Sequence, residues 1–338
     1  MSTCLNFSRR QFLTAAGAAA LGGAMSHRAQ AQDRLKVSLI TTQGTAGLVV
    51  LDIAVSEGFI AEQGIDPTFI SVSDASKAIA ALIGRNSDMC LWSGPGGVLA
   101  AIEKGATLKI LAGSLLFPTH AIYSAKPDIH RVADLVGRTI GIGALGSQLH
   151  QEMLAILRKK GVDTARVVFR NVGSSTDVFR AVVAGTVDAG PAEVDVFDQQ
   201  SKYKVHALED GDLWTEVPEL VFQAAYATDQ AIAEKRPALV HTLAAFCKTY
   251  RYISSPASQD SWVRSYLKIA GKDKQDAAIS QWRFIQKYQP YAKDLVLSPQ
   301  QIQFMQQLNV EMGVQKHIVP DERTIDMSLA RDAVALLG

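Results

Sequence analysis

From Leu35 to about Ala227 the chain alternates short β-branched runs with stretches of helical periodicity. This alternation is the pattern of an α/β protein with largely parallel sheets. The first strand is read at Leu35–Ile40, ending in the polar loop Thr41-Thr42-Gln43-Gly44-Thr45. A helix follows with Leu48, Leu51, Ile53 and Val55, closed by Gly58-Phe59-Ile60. Gln63-Gly64-Ile65-Asp66 turns the chain into a second strand, Thr68–Val72. Ser73 or Asp74 then caps a helix through Ile83, Gly84 ends it, and Asp88–Trp92 forms the third strand.

About a hundred residues later this last unit returns. The run from Ala78 to Ile83, with Gly84, Asp88 and Ser93-Gly94-Pro95, parallels Phe179 to Ala184, with Gly185, Asp188 and Ala189-Gly190-Pro191. Each reads as a helix, a Gly stop, an Asp at a strand start and a Gly-Pro turn near the strand end, as two similar lobes would produce. Between the echoes lie strands at Leu108–Leu111 and Ala121–Ser124, then the segment 132–143. A helix from Gln148 to Lys160 presents Leu149, Met153, Ile156 and Leu157 on one face, before a strand at Val167–Phe169. After Val205–Leu208 and Val221–Ala227 the chain is helical almost throughout, with Pro237, Pro256, Pro299 and Pro320 near helix starts.

The first 31 residues read as a removable export signal. Arg9 and Arg10 precede Phe12-Leu13 and an apolar Ala/Gly-rich run, and Ala29-Gln30-Ala31 supplies a small-x-small cleavage site. The apolar run is about 14 residues, short of the roughly 20 that span a bilayer. A twin-arginine signal and a periplasmic destination are therefore expected. What remains is long enough for two lobes, since domains run about 100–200 residues.

The 34 basic and 33 acidic residues nearly cancel, which argues against a nucleic-acid surface and favours a small neutral or singly charged partner. Cys4 leaves with the signal; Cys90 and Cys247 sit in apolar surroundings and read as buried thiols. No His/Cys/carboxylate spacing reads as a metal site, and GxSxG, HExxH, CxxC and the P-loop pattern are missing.

Gly141-Ile142-Gly143-Ala144-Leu145-Gly146 is a GxGxxG between a strand and a helix. Such a turn favours an anion at the helix start. A dinucleotide site also asks for an acidic residue about 20 positions on. Here the strand ends in Arg170-Asn171, which leaves open an exported NADP-dependent oxidoreductase as the alternative to a plain ligand loop.

Five segments stand in order along the chain: Ser56 to Asp66, Ile83 to Asp88, Ala106 to Ala112, Asp134-Leu135-Val136-Gly137-Arg138-Thr139-Ile140-Gly141-Ile142-Gly143 running to Gly146-Ser147, and Val187-Asp188-Ala189. Taken together they resemble the periplasmic solute-binding proteins that serve alkanesulfonate, taurine, nitrate and thiamine-precursor importers. The resemblance covers residues 35–228.

It implies a two-lobed type 2 periplasmic binding protein fold, each lobe a mostly parallel sheet flanked by helices, with a helical C-terminal region. The crossovers fall near Phe117–His120 and Leu220–Gln223, giving lobe 1 as residues 33–117 plus 224–338 and lobe 2 as 118–223. The implied partners are a small organic ligand (sulfonate, carboxylate or amino-heterocycle) and the membrane permease subunits of an ABC importer. A monomer is expected, with no cofactor and no catalysis. The thiamine-precursor branch includes fungal enzymes that consume their own histidine, but their cysteine-rich motif is missing here.

In open α/β sheets ligands sit beyond the carboxyl ends of strands. Four loops qualify, and they contribute Thr41, Thr42 and Gln43; Trp92, Ser93 and Gly94; Gly146, Ser147 and Gln148; and Pro191-Ala192-Glu193. Hydroxyls, an amide and helix-start N–H groups in the first three suit an oxyanion. Glu193 and Asp195 either face the cleft, where they would want an amine or N–H donor, or form the exposed first turn of a helix. His120 is a further candidate, with His150 a solvated or hydrogen-bonded histidine; Trp214 and Tyr226 read equally as core or cleft.

Overall fold

The computed structural model describes residues 34–42, 44–72 and 75–338. The expected export signal, Gln43 and the expected cap at Ser73 or Asp74 lie outside the described residues.

Ten strands form two five-stranded sheets among the described residues. The first sheet holds β1 (Leu35–Thr42), β2 (Ile65–Val72), β3 (Met89–Ser93) and β4 (Leu108–Leu115). The second is built from β5 (His120–Ser124), β6 (Thr139–Ile142), β7 (Val168–Asn171), β8 (Ala189–Glu193) and β9 (His206–Asp212). A last strand, β10 (Gln223–Thr228), returns to the first sheet. The orders are β2-β1-β3-β10-β4 and β7-β6-β8-β5-β9. In each sheet four strands run one way and one runs against them, β10 in the first and β5 in the second. That strand is the one that follows the chain's passage from the other sheet, between Leu115 and His120 and again between Asp212 and Gln223.

The echo seen in the sequence has a structural basis in its two aspartates. Asp88 N donates to Ser38 O (2.8 Å), and Ser38 N donates to Asp88 Oδ2 (2.7 Å). Asp188 N donates to Thr139 O (2.8 Å), and Thr139 N donates to Asp188 Oδ2 (2.8 Å). Each carboxylate thus fastens the start of its sheet's third parallel strand to the first. The Gly-Pro halves of the echo diverge. Gly94 is an N-cap and Pro95 opens the helix Pro95–Glu103, the position where proline's missing N–H costs nothing. Gly190 and Pro191 lie inside β8 instead of in the expected turn, paired with Tyr123 and Ile122. Proline is tolerated there because β8 pairs with β6 only at Ala189. Glycine is required there because a Cβ on Gly190 would meet Val178 Cγ1 at 2.4 Å and Gly141 O at 2.9 Å.

Other boundaries shift for local reasons. The first helix ends at Ser56, and Gly58, at φ +80°, starts a separate turn, Phe59–Glu62, instead of closing the helix. β2 begins at Ile65 and carries Pro67, which an edge strand accommodates. In the helical C-terminal region, Asp229–Ile253 breaks at Lys235 (φ −129°, ψ 20°), so Pro237 begins its second part.

The core is continuous through the first sheet. All five residues of β3 are buried, and Trp92 packs on Tyr250 and Tyr291, its Nε1 donating to Tyr250 OH at 2.9 Å. Cys90 and Cys247 are buried free thiols, and burial pushes the Cys90 thiol up to about 12. A second cluster joins Tyr123, Phe179 and Trp214 of the second sheet's layers to Phe284. The helix Gln275–Tyr288, far along the chain, is therefore tied to the second sheet, with the Trp214 and Phe284 ring centroids 4.9 Å apart. A buried amide chain joins three more helices: Gln151 Nε2 donates to Asn309 Oδ1 (2.8 Å), and Asn309 Nδ2 donates to Gly96 O (2.7 Å).

Candidate functional site

A cleft of about 1720 Å³ opens at the carboxyl ends of strands from both sheets. Thr42 borders it at the end of β1, Ser93 at the end of β3, Gly143–Gln148 after β6, Ser174 after β7 and Glu193 at the end of β8. Three helices begin at this rim: Thr45–Ser56 from Gly44, Pro95–Glu103 from Gly94, and Gln148–Lys159 from Ser147. None of the three has a side chain capping its first turn. Their first N–H groups have no intrahelical acceptor, and the helix dipoles add positive potential, so the rim suits an oxyanion. The Ser147 hydroxyl is buried without a hydrogen-bond partner, among the polar groups that border the cleft. By contrast, Ser174 caps Ser175–Val183 in a box with Asp177, so that helix end is already satisfied.

The other side of the cleft is acidic. His120 opens β5 and lies between two carboxylates, Nδ1 at 2.7 Å from Glu152 Oε2 and Nε2 at 3.0 Å from Glu193 Oε1. Phe222 closes over the imidazole edge-to-face. Burial opposes the charge on His120, but Glu152 and Glu193 outweigh it and hold its pKa well above the usual histidine range. Burial also pushes the Glu152 carboxyl up, partly offset by His120. Beyond Glu193, Asp195 receives a hydrogen bond from Tyr266 OH at 2.9 Å. Burial and the charge of Glu193 push Asp195 up to about 6. Lys274 and Gln281 complete this end of the cleft from the helical third.

Of the residues expected from sequence, Thr42, Trp92, Ser93, Gly94, His120, Gly146, Ser147, Gln148 and Glu193 border the cleft. Thr41 does not: it is buried, its hydroxyl donating to Thr42 O. Gln43 lies outside the described residues. Gln148 is committed to the fold, its Nε2 donating to Phe222 O at 2.9 Å. Asp195 borders the cleft as well, while His150 supports the loop by accepting from Gly146 N. Trp214 and Tyr226 are both core.

The glycine motif has packing reasons throughout. Gly141 lies in β6 against Val187, Val172 and Val178, Gly143 faces Ser147, and Gly146 adopts φ +81°. Arg170 is not among the cleft-lining residues; its Nη1 donates to Thr186 O. Sequence reasoning missed Glu152, Tyr266 and Gln281. Glu152 interrupts the apolar face between Leu149 and Met153, and that interruption was the available signal; the other two reach the cleft only through the tertiary fold. Among the described residues no group of three or more His, Cys, Asp or Glu is placed to hold a metal ion.

The family described as NMT1/THI5 like matches residues 46–258. No curated protein sequence matches the chain. Among solved structures, the periplasmic aliphatic sulphonate binding protein SsuA from Escherichia coli superposes with a TM-score of 0.70 at 17% identity, over 86% of this chain and 92% of that one. The periplasmic nitrate-binding protein NrtA from Synechocystis PCC 6803 gives 0.69 at 15% identity, over 90% and 89%. The desulfurization enzyme DSZB gives 0.61 at 13% identity, over 89% and 100%. At these identities the likeness establishes a shared fold.

Proposed function

We propose that this chain, which belongs to the NMT1/THI5-like family, is a periplasmic solute-binding protein that presents a small organic oxyanion to the permease subunits of an ABC importer. The observation that carries this reading is the convergence of three uncapped helix starts from both sheets on one cleft, with the unpartnered Ser147 hydroxyl beside them. The lobes are taken as residues 33–117 plus 224–338 and residues 118–223, closing on the solute between them. Residues 1–31 are taken as a twin-arginine signal, and the protein acts as a monomer.

The fold is shared with an enzyme, so the fold alone does not choose between binding and catalysis. The chemistry of the cleft favours binding. His120 is hydrogen-bonded to Glu152 through Nδ1 and held in its charged form by Glu152 and Glu193, which disfavours it as a general base for a neighbouring hydroxyl. Arg170, the residue that would meet a 2′-phosphate, donates to Thr186 O and does not line the cleft, which counts against a dinucleotide.

A thermal-shift screen of the purified protein against sulfonates, carboxylates, pyrimidines and NADP tests the reading, since a ligand that binds only the folded state raises the melting temperature. The expected result is a shift with one oxyanion class, reduced by Ser147→Ala. A shift with NADP alone, lost in Gly143→Ala, overturns it in favour of the oxidoreductase.

A further inference from the structure

We infer that Gln151 is a positioning residue for the cleft, a clasp by which the second sheet grips a helix of the first, so that this one side chain sets how readily the two sheets part. This rests on the reading of the sheets as lobes that close on a solute and is independent of which solute that is. The helix Gln148–Lys159 packs on β8 of the second sheet; Pro95–Glu103 packs on β4 of the first, and Pro299–Glu311 packs on Pro95–Glu103. Gln151 is only 2% exposed although it borders the cleft. Its Nε2 donates to Asn309 Oδ1 at 2.8 Å, and Asn309 Nδ2 donates to Gly96 O and to Gln315 Oε1, each at 2.7 Å. Gln315 Nε2 donates to Gln306 Oε1 at 3.1 Å, and Gln306 exchanges hydrogen bonds with the Val319 backbone. Asn309, Gln315 and Gln306 thus hold one another on the first sheet's side, and Gln151 is the donor that reaches them from the second.

Glycine at position 96 shows how closely the two sides meet. A Cβ there would lie 2.0 Å from Gln151 Nε2, whereas one on Gly97 would meet only Ile79 and Ala75, at 3.8 and 3.9 Å. Glycine weakens a helix relative to alanine, and at position 96 that cost is offset by a seat for the amide. Gln148, one turn earlier on the same face, has partners of another kind: its Nε2 donates to Phe222 O at 2.9 Å, and its Oε1 accepts from Gln223 Nε2 at 3.3 Å. Phe222 and Gln223 lie at the end of the chain's second passage between the sheets, so Gln148 stays with the pivot when the sheets part. Gln151 has to let go. Its bond to Asn309 and its seat on Gly96 exist only in the close arrangement; after separation water serves Gln151, while Asn309 keeps Gln315. Arg158, two turns further on, pairs with Glu311 across the same seam at 2.6 Å, but both side chains are about half exposed, so little of the grip comes from them.

Spin labels on Lys104→Cys and Val183→Cys, exposed positions that border the cleft from the first and second sheet, report the separation by pulsed dipolar spectroscopy; Cys90 and Cys247 are buried and stay unlabelled. The labelled parent is expected to give a short and a long distance. In Gln151→Ala the ratio of long to short rises about three- to tenfold, as the loss of one hydrogen bond requires. In Gly96→Ala it rises roughly tenfold or more, because the added methyl displaces the amide from the close arrangement. Combining the two substitutions brings the ratio back to that of Gln151→Ala alone, since the alanine then has room. Chemical denaturation of the same variants separates grip from stability. A two-distance parent whose ratio the variants leave unmoved, whatever happens to their stability, makes Gln151 static packing; that overturns the clasp and leaves solute binding and lobe closure standing. A single distance in the parent and in every variant shows sheets that do not part, and overturns the clasp together with lobe closure. Solute binding itself is read by the thermal-shift screen, so its failure is seen apart from either result.

Discussion

The two sheets share a strand order and an aspartate clamp, yet their third strands end in opposite chemistry. With Asp88 set against Asp188, Cys90 corresponds to Gly190, Trp92 to Ala192 and Ser93 to Glu193. In the first sheet the strand runs into an uncapped helix through Ser93 and Gly94, presenting hydroxyl and N–H donors. In the second it runs into Glu193 and Asp195, presenting acceptors. The backbone is thus repeated while the ligand chemistry is not. In the proposed reading, specificity resides in the residues that end the third strand of each sheet.

The sharpest way to expose the asymmetry is His120→Ala, which has no counterpart in the first sheet. It strands Glu152 as a buried carboxylate, and a loss of about 3–5 kcal/mol in chemical denaturation is expected. Because the pKa of His120 is raised in the folded state, its contribution is present below the unfolded value and is lost as pH rises through the folded one. The loss on substitution therefore shrinks toward alkaline pH.

Asp195→Asn works in the other direction. The carboxyl is raised from 3.8 to about 6 in the folded state, so native stability falls as pH rises through that window. Removing the charge is expected to stabilise the ligand-free protein by up to roughly 3 kcal/mol at pH 7.5 and by little near pH 4. Stability curves at the two pH values check this; an unchanged difference between them would show that Asp195 is solvated.

Exchanging the counterparts in the third strands breaks the symmetry more mildly. Gly190→Cys overpacks Val178 and the Gly141 carbonyl and is expected to cost about 2–3 kcal/mol. Cys90→Gly leaves a cavity beside Tyr226 and loosens the backbone, for about 2 kcal/mol. The smallest effects belong to the shared clamp. Asp88→Asn and Asp188→Asn each weaken one charge-assisted bond to a backbone N–H and are expected to lower stability by about 1 kcal/mol. Equal losses at the two positions confirm the equivalence, and a larger one at Asp88 measures its closer lysine, Lys235 at 2.7 Å against Lys126 at 3.9 Å from Asp188.

What could be read from the sequence follows the same division. The alternation of strand and helix, the paired aspartates and the helix starts at Gly94 and Ser147 are local signals, so the donor side of the cleft was legible. Gly190-Pro191 was misread because its conformation is decided by Val178 and by β5, both distant in sequence. Glu152 looked like one polar residue on a helix, yet its place on the apolar face was a clue that it is buried against a partner. Tyr266 and Gln281 carried no sign of their role, since only tertiary contacts, Tyr266 on Asp195 and Phe284 on Trp214, bring their helices to the second sheet.

The insertion of β10 between β3 and β4 has a consequence for the order in which the molecule is made. β3 and β4 are not neighbours and share only β10 between them. The second sheet has all its strands once the ribosome has passed Asp212, whereas the first, though begun at Leu35, waits for residues 223–228. A nascent chain stopped in between carries one finished sheet and one split sheet with two open edges. The half that starts earliest is completed last, and chaperone binding to the unfinished chain should fall most steeply after Thr228 emerges.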